Sequence, residues 1–289
     1  MFRLAVFLLL PLLAACAQMP KTDDAGSLFD TTPSRYREVD DGAIVVPLVP
    51  SRYLTEENRR KEVAYNGPEA PGTIVVDIYA RKLYVVEEGG RATRYGIAVG
   101  KEGTSFSGTG YIGRKAKWPG WTPTANMLRK DPEKYRQYAG GLPGGLDNPL
   151  GARALYLYRN GKDTMFRIHG TIDPAAIGRA TSAGCIRVFN QDAMELYDII
   201  DKGTRVKVRT QAESVALEGP YMDDAWGRAV PVTPEAVTQK LRDKEIIAER
   251  EARQAEMAQK EAEKRLRKCR KRGISIEDCV IDSSADENA

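Results

Sequence analysis

From Ile74 the chain alternates. Ile74, Val76 and Ile78 fall on one side and Val75, Asp77 and Tyr79 on the other, the two-residue period of a strand opened by Pro71-Gly72. Ala80-Arg81-Lys82 turns the chain into a second strand over 83–86, Glu88-Gly89-Gly90 turns it again, and 94–99 supplies a third, so this stretch predicts a β-meander. Residues 154–158 and 165–168 read as two further strands, and 204–208 as a closing one. Ala193, Leu196, Tyr197 and Ile200 instead recur at i, i+3, i+4 and i+7, which predicts a helix with one buried face, Asn190 as its N-cap and Gly203 as its stop. A short helix is expected over 131–138, between an irregular stretch and the glycine-rich loop 140–145. The pattern as a whole predicts a mainly β domain with a short packed helix.

The two ends read differently. Arg3 precedes an apolar run over 4–13, which meets Ala14, Ala15 and Cys16; this is the form of a secretory signal and is too short to span a bilayer unaided. Residues 1–16 are therefore expected to direct export. Leu13-Ala14-Ala15-Cys16 also resembles the bacterial lipobox, which implies lipidation at Cys16, with a plain signal cut elsewhere as the alternative. Ala17 and Gln18 do not resemble the aspartate signal for inner-membrane retention, so the expected location is the periplasm, anchored at the inner leaflet of the outer membrane.

Residues 17–72 carry Asp, Thr, Ser and Pro clusters and read as a tether followed by a strap against the domain that spans 73–210. After a wrapping segment over 211–233, residues 234–289 form a highly charged helical tail. Its seam of Leu241, Ala248, Ala252, Ala255, Ala262 and Leu266 is interrupted by Glu245 and Gln259 and is mostly small, so a solvated helix weighs above a coiled-coil partner. Cys269 and Cys279 can close a disulfide in an oxidising compartment, worth on the order of 2–3 kcal/mol in the chain-entropy model; two free thiols are the alternative.

Composition narrows the function. The 289 residues are 42% hydrophobic and 29% charged, enough for one substantial core with residues left over for tails. A net charge of +4 with no dense Lys/Arg stripe in the central part argues against a nucleic-acid partner. The cysteines at 16, 185, 269 and 279 are dispersed and the chain has one histidine, so no zinc-site spacing exists and metal catalysis is not expected.

The chemistry concentrates at Cys185 in Ser182-Ala183-Gly184-Cys185-Ile186-Arg187, with His169-Gly170 sixteen residues upstream. A cysteine and a histidine are the minimum of a thiol nucleophile and its base; a buried core cysteine beside a satisfied core histidine is the bland alternative. Ordinary thiol and imidazole pKa values differ by about 2 units, so moving the proton costs ~2.7 kcal/mol, while an ion pair ~4 Å apart recovers ~4 kcal/mol at an effective dielectric near 20. Gly184, lacking a Cβ, lets backbone N–H groups approach a developing oxyanion. Arg187 either meets a substrate carboxylate or the thiolate, or pairs with the domain's own acids. Ser182 is expected to hold the loop and Thr171 to orient the chain after His169, both adjoining the substrate, and a backbone carbonyl, with Gly170 the candidate, is expected to orient His169. Trp118 and Trp121 form either a substrate wall or a plug at a core edge.

His-Gly-Thr followed by Ser-x-Gly-Cys-Ile-Arg and Asn resembles the signature of L,D-transpeptidases with the YkuD catalytic domain, over residues 71–209. Pro71 to Asp77, Trp118-Pro119, Asn148-Pro149-Leu150-Gly151 and Arg167-Ile168-His169-Gly170-Thr171 are similar to alphaproteobacterial members in particular. The resemblance implies a β-sandwich-like fold and a cofactor-free reaction on peptidoglycan stem peptides. In it Cys185 takes the family's nucleophile position and His169 its base position. Cys185 attacks the diaminopimelate carbonyl of a tetrapeptide stem, releases D-alanine and forms a thioester. Diaminopimelate as acceptor gives a 3-3 cross-link, an envelope protein's amine anchors that protein, and water gives hydrolysis. A wall hydrolase and a non-catalytic wall-binding lipoprotein are the competing readings. Ala183 stands where many members have histidine, and Ser105 to Gly108 only partly matches the family's Thr-Pro-x-Gly segment.

Overall fold

The computed structural model describes residues 32–100, 107–181 and 185–273. The signal segment, Cys16, Ser105, Phe106, Ser182, Ala183, Gly184 and Cys279 lie outside them. In chain order the elements are β1 (Val39–Asp40), β2 (Val45–Val46), β3 (Lys61–Ala64), β4 (Ile74–Asp77), β5 (Lys82–Glu87), β6 (Arg91–Gly96), β7 (Ala98–Gly100) and β8 (Gly108–Lys117). Then come α1 (Ala125–Lys130), α2 (Pro132–Tyr135), β9 (Arg153–Arg159), β10 (Lys162–His169), β11 (Ala180–Thr181), β12 (Ile186–Arg187) and α3 (Asn190–Ile199). β13 (Arg205–Val208), α4 (Gln211–Glu218), β14 (Tyr221–Asp223), β15 (Ala229–Pro231) and α5 (Pro234–Lys271) complete the order.

Eleven strands form one mixed sheet among the described residues, ordered β11-β7-β12-β10-β9-β8-β13-β4-β5-β6-β3. The meander forms as its alternation predicts: β4 pairs antiparallel with β5, and β5 with β6. Both faces of β4 are buried, with Ile74 and Val76 in the main core and Val75 in a second cluster with Tyr65 and Tyr84. β13 differs from its expected place. It lies inside the ladder, parallel to β4 and antiparallel to β8, because its apolar Val206 and Val208 must be covered on both sides. Leu83 and Val85 near one end of the ladder share a single core with Val99 and Ile186 near the other, so the sheet curls around that core. Each fully buried Leu or Ile there contributes roughly 1.5–3 kcal/mol of transfer free energy.

α3 closes the core with Ala193 and Leu196 fully buried and Ile200 just beyond its end, as its periodicity predicts. Its start differs from the sequence expectation: Phe189 is the N-cap and Asn190 is already helical. The Asn190 amide oxygen is used elsewhere, accepting the Ala152 N–H at 3.0 Å. A Cβ on Gly151 or Gly170 would collide with that oxygen, which fixes both positions as glycine. The helix ends at Ile199, ahead of Gly203, whose φ of 91° turns the chain into β13.

The strap is pinned. Tyr36 is 1% exposed, sits edge-on to Phe189 at 5.6 Å, and donates its hydroxyl to Asp192 at 3.3 Å. Gln191 donates to the carbonyls of Arg37 at 3.1 Å and Pro47 at 2.9 Å. Asp41 takes a bidentate pair from Arg153 at 2.7 and 2.8 Å. β3 then adds to the sheet beside β6. The helix expected over 131–138 is α2 with a following 3-10 turn, and α1 precedes it, capped by the Thr124 side chain.

Candidate active site

The sheet register builds the site. β10 runs parallel to β12 with Ile168 opposite Ile186 and His169 opposite Arg187. Ile168 and Ile186 point into the core, so their neighbours Arg167, His169 and Arg187, with Cys185 one residue before β12, share the other face. The nucleophile and base candidates, separated by sixteen residues in sequence, thus stand on adjacent strands one diagonal step apart, within side-chain reach.

Each group is held locally. His169 is 3% exposed, and its Nδ1 bonds the Gly170 carbonyl oxygen at 2.6 Å, which is the backbone orienter expected from the sequence. This bond makes Nδ1 the protonated nitrogen of the neutral ring and leaves Nε2 as the acceptor. Burial, then the positive charge of Arg187, push His169 down to about 3, against the opposing pull of the Gly170 and Leu150 carbonyls. Cys185 is a free, partly exposed cysteine. Burial pushes its thiol up, while the charge of Arg167, a hydrogen bond from the Arg167 backbone N–H and the charge of Arg187 pull it down. The resting pair is therefore a thiol and a neutral imidazole. Burial of each group favours its uncharged form over the ion pair that simple Coulomb arithmetic allows.

Arg187 makes no ion pair among the described residues, and its charge acts on both His169 and Cys185. Arg167 is the neighbour of the candidate thiol that sequence reasoning missed; two residues before His169 in a strand, it had to share that residue's face. Its guanidinium is fixed by a bidentate bond to Asp163 at 2.7 and 2.9 Å and lies 4.2 Å from the Tyr156 ring centroid. Thr171 is 5% exposed and holds the turn after His169 through Asp173, whose N–H donates to its hydroxyl at 3.1 Å. The two tryptophans go to scaffold contacts. Trp118 donates to Asp41 of the strap at 2.7 Å, and Trp121 packs on Tyr135 and Tyr138 at 6.3 and 6.0 Å. Ser182 and Gly184, expected at the loop and the oxyanion site, lie outside the described residues, as does Cys279, the expected partner of the disulfide-bonded Cys269.

Two cavities flank this picture. One of about 110 Å³ lies beside the turn after His169, between Thr171, Ile172 and the strap residues Pro47, Leu48 and Val49. Another of about 230 Å³ lies at the opposite end of the ladder around Tyr65, Lys82, Tyr84 and Arg209, whose charges are consumed by Glu218 and Asp77. The second holds no nucleophile. Among the described residues no three His, Cys, Asp or Glu side chains converge as a metal site.

Residues 71–208 match the family model described as YkuD, L,D-transpeptidase catalytic domain. The probable L,D-transpeptidase ErfK/SrfK of Escherichia coli strain K12 is 33% identical over 148 residues, covering 50% of this chain and 46% of that protein. A Fuscovulum blasticum protein, provisionally named an L,D-transpeptidase in the ATP synthase subunits region, is 35% identical over 137 residues, covering 47% of this chain and 68% of that protein. The chain spans about half the length of the Escherichia coli relatives it matches. A solved chain from Brucella melitensis, named a probable carnitine operon oxidoreductase, is 46% identical and covers 52% of this chain and 93% of its own, with a TM-score of 0.39. At that TM-score it supports no inference about fold or activity.

Proposed function

The chain belongs to the L,D-transpeptidases with a YkuD catalytic domain, and from that premise we propose that it transfers acyl groups between peptidoglycan stem peptides through Cys185. The observation that carries this reading is the placement of Cys185 and His169 on one face of adjacent strands. Nε2 of the neutral His169 takes the thiol proton as Sγ attacks the diaminopimelate carbonyl. The carbon–nitrogen bond to the terminal D-alanine breaks, the imidazolium returns its proton to the leaving amine, and a thioester remains. An acceptor amine then attacks the thioester, passes a proton to His169, and the thiol is restored. Diaminopimelate as acceptor gives a 3-3 cross-link, a protein amine anchors that protein, and water makes the enzyme a carboxypeptidase. Arg187 and Arg167 lower the cost of negative charge on sulfur as it forms.

Incubating the protein with a tetrapeptide-stem muropeptide and reading products by mass spectrometry tests the proposal. Wild type gives a dimer carrying a 3-3 bond and Cys185→Ala gives none; identical products from both would overturn the cysteine mechanism, and tripeptide alone would assign water as acceptor. The apolar run over 4–13 and the Leu13-Ala14-Ala15-Cys16 segment support export and a lipid anchor at Cys16, facing the periplasm. Incorporation of labelled palmitate that survives Cys16→Ser would remove the anchor.

A further inference from the structure

Three strands bring a row of side chains up to Cys185. Arg114 of β8 is directly opposite Tyr156 of β9, and Tyr156 is directly opposite Arg167 of β10. The β10–β12 register continues that row to Cys185. Directly opposed residues project to the same face, so Arg114, Tyr156, Arg167 and Cys185 form a line across the strands on the face that carries His169. The line is a built feature. Tyr156 is 4% exposed, and two guanidinium carbons approach its ring centroid, Arg114 at 3.6 Å and Arg167 at 4.2 Å.

The two cations are not equivalent. Arg167 has its own carboxylate, Asp163. Arg114 is exposed and makes no ion pair and no hydrogen bond among the described residues; its guanidinium stacks on the Tyr156 ring. A planar guanidinium whose orientation is fixed by stacking and whose donors are unspent is the geometry that receives a carboxylate bidentately. A second like charge across the same ring strengthens the attraction for an anion placed there.

Resting on the acyl-transfer reading above, we propose that Arg114, stacked on Tyr156, is the recognition site for a side-chain carboxylate of the donor stem. Distance excludes the carboxylate of the leaving group. Neighbouring strands are ~4.8 Å apart, so the Tyr156 position, over which the guanidinium lies, is ~10 Å from Cys185. The terminal carboxylate of the departing D-alanine lies less than about one residue length, ~3.5 Å, past the attacked carbonyl and cannot reach. The carboxylate at the far end of the diaminopimelate side chain extends away from the attacked carbonyl and meets Arg114 along the row.

The test separates binding from chemistry by using Cys185→Ala protein. Its affinity is measured by calorimetry for a tetrapeptide stem with diaminopimelate and for the same stem with that side-chain carboxylate converted to carboxamide. The acid stem should bind at least tenfold tighter. Adding Arg114→Gln should bring the acid stem down to the carboxamide value and leave the carboxamide stem unchanged, and Arg114→Lys should keep part of the preference. Equal affinity for the two stems, an equal loss for both on Arg114→Gln, or no binding of either stem overturns the assignment. Turnover by the unmodified protein is scored separately, so loss of cross-linking activity with carboxylate preference intact would count against the acyl-transfer reading alone. Arg114 is a surface residue, and an unchanged far-UV spectrum of Arg114→Gln shows that the variant folds.

Discussion

His169 and Cys185 share one face of adjacent strands, and burial there disfavours the charged form of each. Burial holds the imidazole neutral down to about 3 and raises the thiol above its ordinary value, so in the proposed reaction the proton moves during attack rather than before it. The pH profile of kcat/KM should therefore lack an acid limb near 6.5 and stay level from pH 7 down to pH 5; a limb between pH 6 and 7 would mean that His169 titrates as an exposed histidine does. Alkylation by iodoacetamide should be slow at pH 7 and rise only at alkaline pH. Arg167→Gln removes the cation that the strand register places beside the sulfur, and its alkylation profile should move to still higher pH; an unmoved profile would make Arg167 a strut for Asp163 and Tyr156 only. At this scale the sequence made Cys185, His169 and the Gly170 carbonyl readable, because residue type and motif spacing name them. Arg167 and Arg114 stayed hidden, since what makes them neighbours of the thiol is register across four strands, and register is a long-range property.

The strands and α3 were legible from periodicity and a strap from composition, whereas the contacts that pin the strap were not. Its contacts come from single polar residues scattered over 36–60, and the ones that pin it reach partners more than a hundred positions away, such as Tyr36 with Asp192 and Asp41 with Arg153. The Asn190 cap failed for a related reason: a side chain that suits a helix start was claimed by Ala152. The Tyr36–Asp192 clasp carries a pH signature. Asp192 is fully buried, and that burial raises it from its ordinary 3.8 to about 7 despite the opposing charge of Arg60. Between about pH 4 and 7 the folded chain keeps a proton that the unfolded chain has released, so the stability Asp192 contributes is full below pH 4 and is lost as the pH rises to 7. Asp192→Asn has no such dependence. Its melting temperature relative to wild type should climb as the pH is raised from 4 to 7 and then level off, as read by a thermal scan at each pH; a flat difference would mean that Asp192 is already ionised in the fold.

At the scale of the molecule the question is what α5 adds. Its 38 residues, ~57 Å at 1.5 Å each, begin with a Thr233 cap, Pro234 in the first turn and Glu235, and end with Lys268, Arg270 and Lys271, so local rules account for both ends. No residue of it is buried: Leu241 is 59% and Met257 64% exposed. The weak seam legible in the sequence buries nothing, and the i,i+4 contacts that remain, such as Lys260 to Glu256 at 2.6 Å, are surface pairs worth about 0.3–0.5 kcal/mol each. Lys240, donating to the Asp223 carbonyl, ties the helix to the β14–β15 hairpin. That hairpin is coupled to the sheet through Ala180, whose N–H donates to the Gly227 carbonyl at 3.0 Å, and Ala180 leads into the segment before Cys185. The boundary of what the fold needs therefore falls after β15 and before α5. A chain ending at Thr233 should melt within ~2 °C of the full chain and keep its rate on muropeptides, while its far-UV spectrum loses the helical signal of α5. A chain ending at Gly219 removes the hairpin as well and should lose activity at least severalfold, because Ala180 then has an open backbone donor beside the nucleophile loop. Equal activity in the two truncations would detach the hairpin from the site, and a fall in melting temperature of more than ~5 °C on removal of α5 alone would show that the helix packs on something its exposed side chains do not reveal.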